Sequence, residues 1–281
     1  MRGVVRQTGR YSQWLPVNSQ WWAKLDLLKA LVIRDLEARY KGAVLGNFWS
    51  LVNQLSQLLI YTYVFAIVLQ VKLNLQGLPE NKLTFGLWMF AGLLPWIAFI
   101  SGLLPAAVSV VNQQNLVKKV VFPLALLPLV PVFSAFAESS IGLMSLIVLV
   151  AITTHTVHFT LCLLPLVWIP QLLLTGGLSY LVAGLTVFIR DVPQTLTVVT
   201  NLWFYLTPIV YPASLIPEKW QVWIFWLNPM TIITESYRDF VLQGSTKHLG
   251  ELGVVFLVSL LVFYGGLSVY RRLRSGFADV L

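Results

Sequence analysis

From Ser139 to Ile189 the chain carries no Asp, Glu, Lys or Arg, and two further charge-free gaps run from Gly42 to Val71 and from Leu83 to Val117. Backbone N–H and C=O groups taken into a hydrocarbon layer find no water, so runs of this kind must close their hydrogen bonds within helices. Composition agrees. Hydrophobic residues make up 57% of the chain and charged residues only 11%, against about 25% charged in soluble domains. The expected fold is an all-α integral membrane protein. The net charge of +8 is dispersed between the apolar runs, which points to anionic lipid headgroups as counter-charge and away from nucleic acid. Cys162 is the single cysteine, which excludes an internal disulfide and a cysteine-cluster metal site.

A hydrocarbon core of ~30 Å takes about 20 helical residues to cross. On that measure six spans are expected, at 48–71, 83–104, 124–153, 161–189, 195–210 and 252–270. Pro105 is expected to end the second, and Pro128 and Pro131 to bend the entry of the third. The long gap after Glu138 holds two crossings, with a turn near Thr153 to Thr160 marked by His155 and His158. Residues 1–21 contain Arg2, Arg6 and Arg10 without an apolar run, so no cleavable signal peptide is expected there. Residues 276–281 form a second short tail.

Three further elements do not span. Over 22–41 an amphipathic helix places Trp21, Leu25, Leu28, Val32, Leu36 and Tyr40 on one face and Asp26, Arg34, Glu37 and Lys41 on the other. It should lie on the membrane, with Lys29 and Arg39 extending their heads to phosphate. A separate helix over 106–119 ends in Asn112, Gln113, Gln114, Asn115, Lys118 and Lys119, a polar tip suited to water. Residues 215–243 form a re-entrant pair. Lys219 to Leu227 is too short to cross and dense in Trp220, Trp223 and Trp226, the mark of headgroup depth. Asn228 then caps a helix with Pro229 at its first position, Ile232, Ile233, Ser236, Tyr237, Phe240 and Val241 share its face, and Gly244 ends it.

Polar residues inside apolar runs need partners. Asn53, Gln54 and Gln57 are expected to face other helices, and Gly176, Gly177, Ser179, Ala183 and Gly184 to admit a close helix neighbour. Glu138 reads either as a proton relay or substrate contact or as a hydrogen-bonded packing residue. With no second intramembrane charge in sight, packing is favoured. His155 and His158 lack a local carboxylate or thiolate and read as a solvated turn, so no metal site is expected. Glu235, Arg238 and Asp239 read as an exposed helical face.

Counting Lys and Arg by side gives fourteen with the two termini and five opposite, which places both termini in the cytoplasm, the 106–119 helix with them and the tryptophan-rich pair outside. The chain contains no G-x-x-x-x-G-K-[ST], H-E-x-x-H or G-x-S-x-G. It has no engine of its own, leaving a passage for cargo or a membrane-embedded transferase acting on lipid-linked glycans.

The ordered runs RDLEARYKGAVLGNFW (34–49), NQQNLVKKVVFP (112–123), FIRDVPQ (188–194), LTPIVYP (206–212) and LNPMTIITESYRDFVLQG (227–244) resemble the landmarks of permease subunits of type-2 ABC exporters, in the polysaccharide and teichoic-acid branch. The resemblance covers about residues 22–275. It implies a homodimer joined by two copies of a separate ATP-binding subunit, which holds ATP and Mg, with no cofactor in this chain. It implies passage of a lipid-linked glycan across the bacterial inner membrane; export of a lipid or drug is the alternative. It assigns Arg34, Arg39, Tyr40, Lys41, Gly46 and Trp49 to an interface or gate helix. Asn112, Gln113, Asn115, Leu116, Lys118 and Lys119 fall in a coupling helix seated in the ATPase. Trp220, Trp223, Trp226, Asn228, Pro229, Tyr237 and Arg238 fall in the external pair narrowing the exit, whose rings read equally as sugar-stacking faces or interfacial anchors.

Overall fold

The computed structural model describes residues 18–46, 48–68, 82–119 and 122–281. The tail with Arg2, Arg6 and Arg10, the loop with Lys72 and the expected end of the first span at Val71 lie outside the described residues, as do the side chains of Lys82 and Lys119. The described residues are helical, without strands. In chain order they form α1 (Asn18–Arg39), α2 (Phe48–Tyr61) prolonged by a π-helical turn (Thr62–Val68), α3 (Lys82–Val108), α4 (Gln114–Lys119), α5 (Leu129–Thr154), α6 (Leu164–Phe188) and α7 (Val192–Leu206). Then follow α8 (Glu218–Leu227), α9 (Pro229–Arg238) prolonged by a π-helical turn (Asp239–Gln243), α10 (Leu249–Leu273) and α11 (Phe277–Val280).

The centre is α3. It is apolar on every side, and a helix of that kind has to be enclosed by others. Its residues from Thr84 to Leu94 are buried almost without interruption, with Met89, Phe90, Ala91 and Leu94 fully so. Around it stand α2, α5, α6, α7 and α9. At one end Val110, Leu124, Tyr180, Tyr270 and Phe277 form one cluster, tied by the Tyr180 and Tyr270 hydroxyls donating to the carbonyls of Ala125 and Leu124. At the other end the Thr160 hydroxyl donates to the Phe240 carbonyl at 2.7 Å.

Among the described residues four helical stretches are long and apolar enough to cross a membrane: Thr84–Val108, Leu124–Thr154, Phe159–Phe188 and Leu249–Val280. The 15 residues of α7 reach only about 22 Å at 1.5 Å per residue. It stops four residues short of the expected Val210, because the Thr207 N–H closes the last turn on Trp203 and Phe204 and Pro208 then has no N–H to continue it.

Two other expectations change. Pro105 does not end the second span, since α3 runs through it to Val108; a proline inside an apolar helix is tolerated when neighbouring helices re-satisfy the freed carbonyl. The expected helix over 106–119 is therefore the tail of α3, a single 3-10 turn (Val111–Gln113) and the short α4. Along α1 the packed side is Leu27, Leu28, Leu31, Val32, Leu36 and Tyr40, whereas Trp21 and Leu25 stand exposed. The stripe keeps Leu28, Val32, Leu36 and Tyr40 and gains Leu27 and Leu31, and its end presents Arg39 and Tyr40 to Glu138 of α5.

Helices α6 and α10 approach each other backbone to backbone. A Cβ on Gly177 would come within 2.6 Å of the Phe263 backbone, and one on Gly266 would overlap the Gly177 carbonyl. Close approach of this kind drives helix association in lipid, where no hydrophobic force separates protein from solvent. Gly265, one residue away, faces open space. Gly266→Ala is therefore expected to lower the thermal stability of detergent-purified protein by about 1–3 kcal/mol, the cost of forced overpacking, while Gly265→Ala leaves it unchanged or higher; a melting series on the two variants checks this.

Candidate functional site

Three places gather the polar side chains that the sequence singles out. The first lies where α1, α2 and α5 meet. Glu138, about 14 Å along α5 from its first residue at 1.5 Å per residue, accepts Arg39 Nη1 at 2.8 Å and the Tyr40 hydroxyl through its two carboxylate oxygens. Asp35 holds the same guanidinium at Nε, 3.0 Å away. From α2 the Gln54 amide donates to the Glu138 main-chain carbonyl at 3.2 Å and to Ser50 at 3.3 Å. Burial, then the Glu138 contact, pushes the Tyr40 phenol up to about 12, so it stays protonated and acts as donor.

Glu138 is a paired residue, and its partner is a charge that the sequence reading sent to lipid phosphate. Arg39 is turned inward because it is covalently close to a helix end that packs on α5, where an unpaired carboxylate would be costly. Beside this junction opens a cleft of about 370 Å³ lined by Tyr40, Ser50, Asn53, Gln54, Gln57, Ser101 and Glu138. Asn53 and Gln57, expected to face other helices, are exposed on the cleft wall. Only Gln54 is buried, and its carbonyl oxygen has no partner. Lys41 and Gly46 sit in the turns after α1, Gly46 at φ +50°; Arg34 and Trp49 are exposed.

The second place is the end where α8 and α9 fold back. Asn228 caps α9, its carbonyl accepting Met230 N–H at 3.1 Å and Trp203 Nε1 at 2.8 Å, while its amide donates to Thr207. Pro229 follows at the first helical position, and Gly244 closes the segment at φ +64°. Trp220, Trp223 and Trp226 are all more than half exposed on α8. Tyr237 and Arg238 are not at the surface. The Tyr237 hydroxyl accepts Trp168 Nε1 at 2.7 Å and donates to Gln171.

Arg238 is fully buried. Its Nε donates to the Trp88 carbonyl (3.3 Å), its Nη1 to the Pro208 carbonyl (2.8 Å) and to Glu235 (2.7 Å), and its Nη2 to the Ile209 carbonyl (2.7 Å). The guanidinium lies 3.5 Å over the Trp88 ring centre, a cation–π stack strengthened by desolvation. Room for it comes from Gly92, where a Cβ would stand 2.5 Å from Nη2. The Glu235–Arg238–Asp239 group is thus an internal network and not an exposed helical face. A planar cation with five donors is the one side chain able to satisfy this many stranded carbonyls at once.

Asp239 turns the other way, to His248 Nδ1 at 2.7 Å and the His248 N–H at 3.2 Å. Burial alone would lower the imidazole pKa, but the Asp239 hydrogen bond and the charges of Asp239, Glu235 and Glu251 outweigh it and raise it. His155 sits in a left-handed turn at φ +53°, and among the described residues no group of three His, Cys, Asp or Glu could hold a metal ion.

The third place is the α4 tip. Asn112, Gln113, Asn115 and Lys118 are exposed, while Leu116 and Val117 pack on the Tyr180–Tyr270–Phe277 cluster. The polar tip thereby rests on the end where α6 and α10 finish. Sequence reasoning missed Trp88, Gly92, Ser50 and Ser101. The pattern offered one usable signal, a glycine one turn after a tryptophan inside a span.

Arg238→Met keeps the apolar stem but strands the three carbonyls and Glu235. The expected loss is about 3–5 kcal/mol, typical of removing one partner of a buried ion pair, read as a fall in monodisperse protein recovered from membranes; Arg34→Met, an exposed change on α1, should not alter the yield.

Residues 26–242 match the family described as "ABC-2 type transporter". The O-antigen export system permease protein RfbA of Klebsiella pneumoniae is 29% identical over 257 residues, 91% of this chain and 95% of that protein. The protein of the same description from Myxococcus xanthus is 30% identical over 254 residues, covering 90% and 94%. The polysialic acid transport protein KpsM of Escherichia coli is 22% identical over 252 residues, covering 87% and 92%.

Proposed function

Because the chain belongs to the ABC-2 type transporter family, we propose that it is the channel-forming permease of an exporter that moves a lipid-linked polysaccharide, of the O-antigen or capsule kind, across the bacterial cytoplasmic membrane. It is a transporter subunit and not an enzyme, and in this family ATP is hydrolysed by a separate ABC subunit. The observation that carries the polysaccharide reading is the end-to-end likeness to export permeases from two organisms. The polar cleft supports it. Hydroxyl and amide side chains set in an apolar surface suit a cargo rich in hydroxyl groups, whereas a hydrophobic drug would leave them unsatisfied.

The working unit in this reading is a homodimer with two ATP-binding subunits, which carry ATP and Mg. Helices α2 and α7 count as the two further spans, and each exposes large apolar residues, Leu59, Ile60 and Tyr63 on α2 and Val198, Leu202 and Tyr205 on α7, that lipid or a second copy covers. Fourteen basic residues against five put both termini in the cytoplasm. Arg271, Arg272 and Arg274 lie at the end that carries α4, so the exposed tip of Asn112, Gln113, Asn115 and Lys118 faces the cytoplasm, where the ATPase docks on it. The α8–α9 pair caps the outer side, with Trp220, Trp223 and Trp226 at the exit.

The test combines topology and cargo. In a Cys162→Ala background, single cysteines at Asn112, Asn115 and Lys118 should be labelled only from the cytoplasm, and less when the ATPase subunit is present; labelling from outside overturns the orientation. A strain deleted for this chain should lose surface glycan and accumulate it inside, and unchanged surface glycan would contradict the polysaccharide assignment.

A further inference from the structure

The junction at Glu138 has a feature that neither packing nor passage requires. Its two carboxylate oxygens hold the end of α1, through Arg39 and Tyr40, and its main-chain carbonyl holds α2, through Gln54. The two helices that meet there are joined by a linker of consecutive tight turns, Ala43 to Tyr40, Gly46 to Ala43 and Phe48 to Leu45. Gly42 and Gly46 in this linker adopt positive φ of +84° and +50°, and nothing stands within 4 Å of a Cβ at either. Among the described residues of the linker, Lys41, Ala43, Val44 and Leu45 are exposed as well.

Beyond that junction α1 lies along α5 mostly through half-buried side chains, Leu27, Leu28, Val32 and Leu36. Leu31 is its one buried hydrophobic residue among those described, and Trp21, Trp22, Leu25 and Ile33 are exposed. Dispersion contacts of half-exposed side chains hold a helix against a surface without fixing its direction, whereas a bidentate grip with short charged hydrogen bonds does fix it. Asp35 sets the guanidinium from behind at 3.0 Å, and Gly142, one turn beyond Glu138, makes the space in which the Gln54 amide is seated. The side chains of Arg39 and Glu138 are 23% and 14% exposed, so this pair is shielded from salt far better than a surface pair.

We propose that Glu138 is a positioning residue for export: it pins the end of α1 to α5 and, through the same turn, to α2, so that α1, α2 and the cleft wall between them move as one body. A push delivered to α1 from outside the membrane is then transmitted to Asn53 and Gln57 on the cleft wall. Without the pin, α1 swings on its glycine linker and the push is lost. The proposal rests on the exporter reading for its functional half and on this chain alone for its structural half.

The experiment separates the two. In the Cys162→Ala chain, spin labels at Lys24 on α1 and Met144 on α5 report the distance between the helices in lipid nanodiscs, and a Met144–Leu257 pair controls for the fold. Glu138→Gln and Arg39→Gln should each broaden the first distribution and leave the second unchanged. With the ATPase subunit and glycan added, each should lower export per ATP hydrolysed roughly five-fold or more, about what 1 kcal/mol of lost coupling gives, and the double variant should be no worse than the worse single. Unbroadened distances overturn the pin. Broadened distances with unchanged export per ATP, or losses that multiply in the double variant, overturn its role in export. Absence of export by the unmodified complex would count against the exporter reading, while the distances still decide whether the pin exists.

Discussion

A guanidinium withdrawn from water must be given acceptors for its N–H groups, and one half of this molecule is arranged to supply them to Arg238. The carbonyl of Trp88 comes from α3, those of Pro208 and Ile209 from the chain leaving α7, and a carboxylate from Glu235 one turn back on α9. Those elements are far apart in sequence, and the cation fixes their relative positions at one point. Gly92 and the Trp88 ring complete the seat. Once α9 is held there, its neighbours follow: Tyr237 reaches Trp168 and Gln171 on α6, and Asp239 reaches His248 at the start of α10. A cap built in this way joins α3, α6, α9 and α10 through side chains that are buried and hydrogen-bonded.

The opposite half is built on another principle. Its cluster of Tyr180, Tyr270, Phe277 and Leu124 is apolar, and hydroxyl-to-carbonyl bonds trim its edges. Two elements are mounted on or near it. The α4 tip is seated by Leu116 and Val117, whereas α1 lies along α5 through Leu31 and half-buried neighbours and is tied at its end by one ion pair and a phenol.

The legible part of this architecture was whatever a local rule decides. Apolar length marked α3, α5, α6 and α10, and Asn228-Pro229 and Gly244 marked the start and end of the α9 segment because capping and left-handed turns depend on neighbours in the chain. The small residues around Gly177 marked a close helix neighbour, though not that the neighbour is α10. What a helix faces was harder to read. Arg39 and Glu138 are 99 residues apart, and no spacing rule brings a basic residue from one helix to an acidic residue on another. Arg238 misled for a related reason: beside Glu235 and Asp239 it has the pattern of a solvated face, and only the carbonyls freed around Pro208, together with Gly92, make it internal. Pro105 misled because a proline stops helices in water more reliably than inside a packed membrane span.

Reconstitution tests the central claim most directly. The chain is co-purified with its ABC subunit, placed in proteoliposomes loaded with lipid-linked glycan, and the appearance of glycan on the far side is followed with a membrane-impermeant lectin as ATP is supplied. The account predicts ATP-dependent appearance that vanishes when either subunit is omitted. Vigorous ATP hydrolysis by the assembled complex with no glycan crossing, alongside crossing of a lipid or an apolar drug, would contradict it.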